Sequence, residues 1–415
     1  MTFINREIVP KIKKHLKEKE VTLLLGPRQA GKTTIIKHLQ EELEQDGQKT
    51  IYLSLDNFEE RRYFTTQNAL VKTLEISFSK SFVYVFIDEI QRLENAGLFL
   101  KGLYDMDLPY KFIVTGSGSL ELKANVIESM TGRKRVFQIL PLSFSEFTCY
   151  RTGFPADKIQ QFFETRTEAG ERLVNEYSVF GGYPRVVLSD SIEEKRAVLA
   201  EIYTSYIDKD VKALIGVEKD TAYQNLVRYL GGTVGNLINK AQIARTVGVT
   251  EKTVDQYLDI LEKTFIIQLV RPFYSNITKE LTKSPKAYFI DIGLRNYAAQ
   301  NFQDFPVRAD RGMVFENLVF TRFFELSLPF PVKFWRTQSG AEVDFVIEEA
   351  GRPVPIEAKS VVKPPALSRS FVSFLKKYHP QKAYIYSPNT SWHGMCYNTD
   401  ITYLPYHLLP PLSQI

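Results

Sequence analysis

The chain has 415 residues, of which 44% are apolar and 24% charged, and its formal net charge is +5. That length exceeds one ordinary core and predicts about two to four domains of a soluble globular protein. The two cysteines, Cys149 and Cys396, lie far apart and form no metal-spaced or disulfide-like pattern, which excludes a zinc site and fits a reducing compartment.

Residues 1–20 carry charges of both signs without a continuous apolar segment, so neither a signal peptide nor a membrane span is expected, and a cytoplasmic location is. The mildly basic balance permits nucleic acid as a partner without requiring it. The first clear element is the apolar run Val21 to Leu25, read as a strand. It feeds Gly26-Pro27-Arg28-Gln29-Ala30-Gly31-Lys32-Thr33-Thr34, and a helix is expected from there to about Leu39. A strand feeding G-x-x-x-x-G-K-[ST] into a helix start turns backbone N–H groups and the helix dipole toward one point, which matches a polyphosphate. Lys32 is expected to reach the β- and γ-phosphates and Thr33 to hold Mg²⁺, so ATP with Mg²⁺ is the expected ligand. The bland alternative is a glycine turn before a core helix, and the strand–loop–helix context counts against it.

Three further apolar runs follow, Thr50 to Asp56, Phe82 to Glu89 and Lys111 to Ser117. Each is separated from the next by enough chain for a crossover helix, which predicts a parallel α/β sheet. A carboxylate at the carboxyl end of a buried strand can hold Mg²⁺ through water, which assigns Asp88 to the metal and Glu89 to polarising the attacking water. Thr115 or Ser117, at the tip of the last run, is placed to sense the γ-phosphate, although Thr-Gly-Ser also makes an ordinary turn. Arg133 and Arg135 are the candidate guanidinium groups for the developing γ-phosphoryl charge, offered by the same or a neighbouring subunit. A solvated basic turn is the alternative for either.

With these motifs in this order, residues 20 to 150 resemble the AAA+ ATPases of the P-loop superfamily. The combination of the phosphate loop, Phe86-Ile87-Asp88-Glu89-Ile90-Gln91, Thr115-Gly116-Ser117, Gly132-Arg133-Lys134, Pro141-Leu142-Ser143-Phe144-Ser145-Glu146-Phe147 and Gly181-Gly182-Tyr183-Pro184 is similar to one prokaryotic family in particular. In that family an AAA+ domain is joined to a C-terminal domain of the DUF4143 type. The resemblance implies a homo-oligomer with active sites completed between subunits. Arg185 departs from the pattern, since an acidic or apolar residue is expected after Gly-Gly-Tyr-Pro.

From Gly153 to about Val217 the pattern is helical and amphipathic, with Ala197, Leu199, Ile202, Tyr203 and Tyr206 as the expected buried stripe, and by position it is the lid of the ATPase. Asn225 to Phe273 reads as a winged helix-turn-helix: a helix through Leu230, a helix from Lys240 to Val247, the turn Gly248-Val249, a helix from Thr250 to Lys263 and the β-rich Phe265 to Val270. A DNA-reading helix should expose Arg, Lys, Asn or Gln. This one carries Glu251, Lys252, Asp255, Gln256, Asp259 and Lys263, so protein contact or packing is favoured over groove reading. Lys279, Lys283 and Lys286 in the following loop are candidates for phosphate contact or for a solvated face.

The segment Lys286 to Gly293 reads as a strand and turn, and a helix carrying Glu316 is expected to start near Gly312. In Glu342-Val343-Asp344-Phe345-Val346-Ile347 the odd positions are expected inward and Glu342 and Asp344 on the other face. After a turn at Gly351 to Pro353, a second strand from Val354 to Lys359 places Glu357 and Lys359 on that same face of a hairpin. Such a group can bind Mg²⁺ or Mn²⁺ through oxygen ligands. An exposed hairpin with a salt bridge to Lys359 is the alternative. Asp followed by Glu-x-Lys on adjoining strands resembles the PD-(D/E)xK nuclease fold. That resemblance implies Asp344 and Glu357 as metal ligands, Lys359 as the catalytic lysine, Glu316 as the supporting acid, and Gln338 or Arg336 as a phosphate contact.

The expected fold class is therefore α/β: a P-loop NTPase (AAA+) parallel sheet at 1–150 with a helical lid at 151–217, then a winged helix at 218–275 and a smaller nuclease-like α/β domain at 276–415. The expected function is Mg²⁺-dependent ATP binding and hydrolysis coupled to DNA. A regulatory ATPase that grips a protein partner, with an inactive nuclease-like domain, is the alternative.

Overall fold

A computed structural model describes residues 3–79, 81–118, 130–206, 220–274, 280, 283–326, 328 and 331–408. Lys279 and Val217 of the expectations above lie outside them. The chain divides into two compact units, Met1–Pro141 with Asp259–Ile266, and Leu142–Leu258 with Ile267–Ile415.

The first unit is built on five parallel strands, β1 (Val21–Gly26), β2 (Thr50–Ser54), β3 (Val83–Asp88), β4 (Tyr110–Ser117) and β5 (Lys134–Gln138), in the order β2-β3-β4-β1-β5. Side chains alternate across a strand, and both faces of this sheet are covered, which is why its inner strands read as continuous apolar runs. Leu23 and Leu25 pack with Val85, Ile87 and Val114 beneath the helices Gln67–Phe78 and Ala96–Asp105. Leu24 packs on the other face with Phe86, Ile113 and the helix Lys32–Gln45 through Ile35, Ile36 and Leu39. The fifth strand was not expected. Its sequence, Lys-Arg-Val-Phe-Gln, contributes only Phe137 to the core because it lies at the sheet edge; Arg133 lies in a turn as read, and Arg135 lies on a half-exposed strand paired with β1.

The second unit opens with helices and closes with a mixed sheet. Its helices include Phe144–Thr152, entered through a capping box of Ser143 and Glu146, then Thr167–Phe180 and Ile192–Tyr206. In the last of these Leu199, Ile202 and Tyr206 are buried as expected, but Ala197 faces outward and Val198 takes its place. The helices Asp220–Gly232, Lys240–Val247 and Glu251–Lys263 form where the helix-turn-helix was read, with Gly248 closing the second at φ 77.

Eight strands follow: β6 (Ile267–Pro272), β7 (Lys286–Phe289), β8 (Lys333–Arg336), β9 (Glu342–Glu349), β10 (Arg352–Ala358), β11 (Lys382–Ser387), β12 (Trp392–Cys396) and β13 (Thr399–Pro405). Their order is β12-β13-β11-β10-β9-β8-β6-β7. The pair β6–β7, expected to be divided at 275, is antiparallel, and β6 also pairs with β8, so both strands form the edge of the large sheet. Helix Arg369–Tyr378 covers one face, its Phe371, Phe374 and Leu375 packing on Trp335, Val343, Val346 and Ile385. Phe320 of helix Arg311–Arg322 packs with Tyr288 and Phe345.

The Gly-Gly-Tyr-Pro motif is a packing device. A Cβ on Gly182 would lie 2.1 Å from the Leu142 carbonyl oxygen, and one on Gly293 would lie 2.0 Å from that of Phe180. Gly293, expected in a turn, sits instead in the helix Ile292–Ala298. Asp291 ties these segments together, accepting hydrogen bonds from the N–H groups of Gly182 at 2.7 Å and Leu294 at 2.9 Å. Gly182→Ala forces backbone against backbone and is expected to destabilise the fold by about 3 kcal/mol, read by urea unfolding. A wild-type midpoint would contradict this reading of the motif.

Burial pushes Asp291 up from 3.8 to about 6, although the N–H groups of Gly182, Leu294 and Gly293 favour its charged form. Such an acid holds its proton longer in the folded chain than in the unfolded one. Its contribution to stability is therefore present below about pH 4 and is lost as pH rises through about 6. Relative to Asp291→Asn, the wild type is expected to lose on the order of 3 kcal/mol over that range. A difference independent of pH in chemical unfolding would refute the assignment.

Candidate functional site

β1 ends at Gly26, where close packing leaves no space for a side chain: a Cβ would lie 1.9 Å from the Ile139 carbonyl oxygen. The loop then turns through Gln29 at φ 59 and Gly31 at φ 94, which directs the first N–H groups of helix Lys32–Gln45 into the loop. Pro27 and Ala30 are buried, and Arg28, Gln29, Thr33 and Thr34 are half-buried. The buried Lys32 ammonium donates to the carbonyl oxygens of Gly26 at 3.0 Å and Pro27 at 2.7 Å, which keeps the charge inside the loop. Arg6, which no motif marked, donates to the Ala30 carbonyl at 3.1 Å and to that of Leu140 at 2.6 Å, bracing the loop from outside.

β4 lies between β1 and β3, so its tip separates the phosphate loop from Asp88. Thr33 Oγ1 donates to Asp88 Oδ2 at 2.9 Å, and the Tyr52 hydroxyl donates to the same oxygen at 2.7 Å. Thr115 Oγ1 donates to Asp88 Oδ1. The buried carboxylate is thus aimed at the loop by three hydroxyls on three elements. Tyr52 was missed because a tyrosine in a buried strand carries no chemical signature of its own. Burial, and then the Asp88 carboxylate, raise its phenol far above the ordinary value, so it remains a donor.

Glu89 follows at φ 60 and ψ 44, with its N–H donating to Thr115 Oγ1 at 3.2 Å. The structure therefore brings Lys32, Thr33, Asp88, Glu89 and Thr115 together. It does not bring Arg133. The Arg133 carbonyl accepts from the N–H of Val21 at the start of β1, and its guanidinium pairs with Asp105 at 2.8 Å. The loop lies at the other end of that strand, roughly 16 Å away at ordinary strand rise. Arg135 is exposed on β5 opposite Thr22, and Arg185 pairs with Glu201 at 2.8 Å in the second unit.

An ammonium, a helix start and a hydroxyl beside a carboxylate are the donor set that Mg²⁺-bound polyphosphate requires, so the residues present fit that group. Thr33 and Asp88 would hold the metal, and Lys32 with the loop N–H groups would hold the phosphates.

The second unit gathers another charged group. Glu316, on helix Arg311–Arg322, accepts from Lys286 Nζ at 3.1 Å and from the Tyr288 hydroxyl at 2.5 Å. Lys286 is buried and also pairs with Glu342 at 2.6 Å, while Arg336 pairs with Glu342 at 2.6 Å from the other side. Asp344 accepts from the Ala358 N–H at 2.9 Å. Glu357 accepts from Ser368 Oγ at 2.8 Å and faces Lys359 at 3.4 Å. Burial and then the charge of Asp344 push Glu316 up to about 7 against the pull of Lys286. Burial opposes the charge on Lys359, but Asp344, Glu357 and Glu316 hold its ammonium above the ordinary value. The four motif residues thus share one electrostatic neighbourhood.

Two expectations for this region need correction. The Glu357 face of the hairpin is not open, since Glu357 is only 2% exposed and Ser368, at the start of helix Arg369–Tyr378, caps it. The alternation along β9 also breaks: a register shift opposite Lys333 and Trp335 puts Val343 and Val346 into the same cluster, away from the odd-position rule. Among the described residues no three His, Cys, Asp or Glu side chains are arranged to hold a metal ion. Arg336 is engaged by Glu342, and Gln338 is exposed.

Residues 18–148 match the AAA domain family, residues 171–304 the domain of unknown function DUF8612, and residues 311–408 the domain of unknown function DUF4143. An uncharacterized protein of Mycobacterium tuberculosis is 27% identical over 383 residues, covering 90% of this chain and 78% of its own. An uncharacterized protein of Methanocaldococcus jannaschii is 28% identical over 363 residues, covering 83% and 75%. Among solved structures, AMPPCP-bound DnaA from Aquifex aeolicus aligns over 63% of this chain and 90% of its own at 18% identity, with a TM-score of 0.28. Among the described residues no helix is long and apolar enough to cross a membrane. The chain carries an AAA domain with a P-loop sheet, joined to a C-terminal DUF4143 domain.

Proposed function

We propose that the chain is a Mg²⁺-dependent ATPase whose turnover is coupled to DNA binding or processing. The observation that supports the ATPase most strongly is the convergence of Lys32, Thr33, Asp88 and Thr115 on one loop. In this reading Lys32 and the loop N–H groups bind the β- and γ-phosphates, and Thr115 turns its one hydroxyl hydrogen from Asp88 to the γ-phosphate. Bound Mg²⁺ supplies neutralisation of the charge developing on the phosphoryl oxygens. Glu89 orients the attacking water and accepts its proton. Arg133, at the amino edge of the sheet, serves a neighbouring subunit's site, which requires a homo-oligomer. A monomer by sedimentation in ATP that turns over at full rate would remove that role. The test of the whole reading is phosphate release from ATP with and without Mg²⁺, repeated with single-stranded, duplex and branched DNA.

We assign the second unit to DNA on the motif Asp344, Glu357 and Lys359 with Glu316; to hold Mg²⁺ or Mn²⁺, Glu316, Asp344 and Glu357 would have to exchange their present hydrogen bonds for the metal. Cleavage lost in Asp344→Ala would support a nuclease, and absence of both binding and cleavage on every substrate would remove DNA from the account. A second reading, a regulatory ATPase gripping a protein partner, is favoured by two observations. The carboxylates of the cluster are already bonded to lysines, hydroxyls and backbone N–H groups, and helix Glu251–Lys263 exposes Glu251, Asp255 and Asp259. Such a complex should keep its affinity between low and physiological salt, whereas phosphate contacts lose it steeply.

A further inference from the structure

Glu89 is restrained by a side chain that none of the assigned roles includes. It leaves β3 in the left-handed region, at φ 60, which residues other than glycine rarely adopt. Its backbone is held there by the bond from its N–H to Thr115 Oγ1 at 3.2 Å. Its carboxylate accepts a hydrogen bond from Nε2 of Gln91, in the 3-10 turn Ile90–Arg92. The Oε1 of the same amide accepts from the backbone N–H of Ser117 at 3.1 Å. Gln91 therefore spans from Glu89 to the tip of β4, the strand whose Thr115 also fixes Asp88. A side-chain amide offers a donor and an acceptor on one planar group, and asparagine is one methylene too short to keep both bonds.

A half-buried glutamate with three rotatable bonds samples several orientations unless something holds it. Misplacing a reacting group by about 1 Å costs on the order of a hundredfold in rate. We propose that Gln91 is the positioning residue for Glu89: its N–H fixes the carboxylate, and its bond to Ser117 sets that hold in register with the strand that senses the phosphate. The inference rests on the ATPase reading above and adds a residue to the same site.

The test compares Gln91→Ala and Gln91→Glu with the wild type in steady-state phosphate release, in affinity for a fluorescent ATP analogue and in thermal midpoint. Gln91→Glu is nearly isosteric and keeps an acceptor for the Ser117 N–H, but it replaces the donor to Glu89 with a second carboxylate. Both variants are expected to lower kcat by about tenfold or more while binding nucleotide as the wild type does, with Gln91→Glu at least as slow as Gln91→Ala. Adding Gln91→Ala to Glu89→Gln is expected to cost nothing further, because the two side chains act as one unit. A kcat that is unchanged or raised in either variant would overturn the proposal, as would an additive double variant. Gln91→Glu at the wild-type rate with Gln91→Ala slow would reduce Gln91 to a brace for Ser117 and also overturn it. A wild type that binds ATP but releases no phosphate would instead overturn the ATPase reading, and the inference with it.

Discussion

Lys32→Ala is expected to abolish nucleotide binding while leaving the fold in place. The Lys32 ammonium is held by the Gly26 and Pro27 carbonyls at the point toward which the helix start is aimed. Hydrogen bonds to charged groups contribute about 1.5–3 kcal/mol each, so losing the cation's contacts to two phosphates should weaken binding by at least about a hundredfold. Alanine removes the buried charge and frees the carbonyls of the buried Gly26 and Pro27, so the fold should survive with a lowered thermal midpoint. Calorimetric titration with ATP and Mg²⁺ reads the binding, and thermal unfolding checks the fold. Affinity within about threefold of the wild type would show that the phosphates lie elsewhere.

Glu89→Gln is expected to separate binding from turnover. The amide has the shape of the carboxylate, and its oxygen can still accept from Gln91, so the left-handed turn and the bond from Glu89 N–H to Thr115 are preserved. What is lost is the ability to take a proton from water. General-base catalysis contributes roughly 10²- to 10⁴-fold, and kcat should fall by that much with the nucleotide affinity unchanged. Hydrolysis persisting at the wild-type rate would show that another residue orients the water.

How much of this was legible depended on where each residue lies. β1, β3 and β4 are inner strands covered on both faces, so Leu23 to Leu25 and Val83 to Ile87 read directly as apolar runs, and the loop and Asp88 follow from their ends. β5 lies at an edge, and the Lys134-Arg135 that begins it hid the strand and made Arg133 look like a loop residue near the phosphates, when pairing with Val21 places it at the opposite end of the sheet. Gly181-Gly182 was visible as a motif but not as a packing contact, because its partners Leu142 and Asp291 are remote in sequence. In the acidic cluster, Asp344, Glu357, Lys359 and Glu316 were placed together on the motif. Lys286, read as a loop lysine for phosphate contact or a solvated face, is instead buried in an edge strand against Glu316 and Glu342; Tyr288 beside it carried no signal, and neither did the register shift in β9, since periodicity cannot report an extra residue.

The most direct measurement is calorimetric titration of ATP into the folded protein in excess Mg²⁺. Saturable binding at one site per chain, lost in Lys32→Ala and weakened when Mg²⁺ is chelated, is the predicted result. No heat of binding from a protein shown to be folded would contradict the assignment of the loop, and with it every role given to Thr33, Asp88, Glu89 and Gln91.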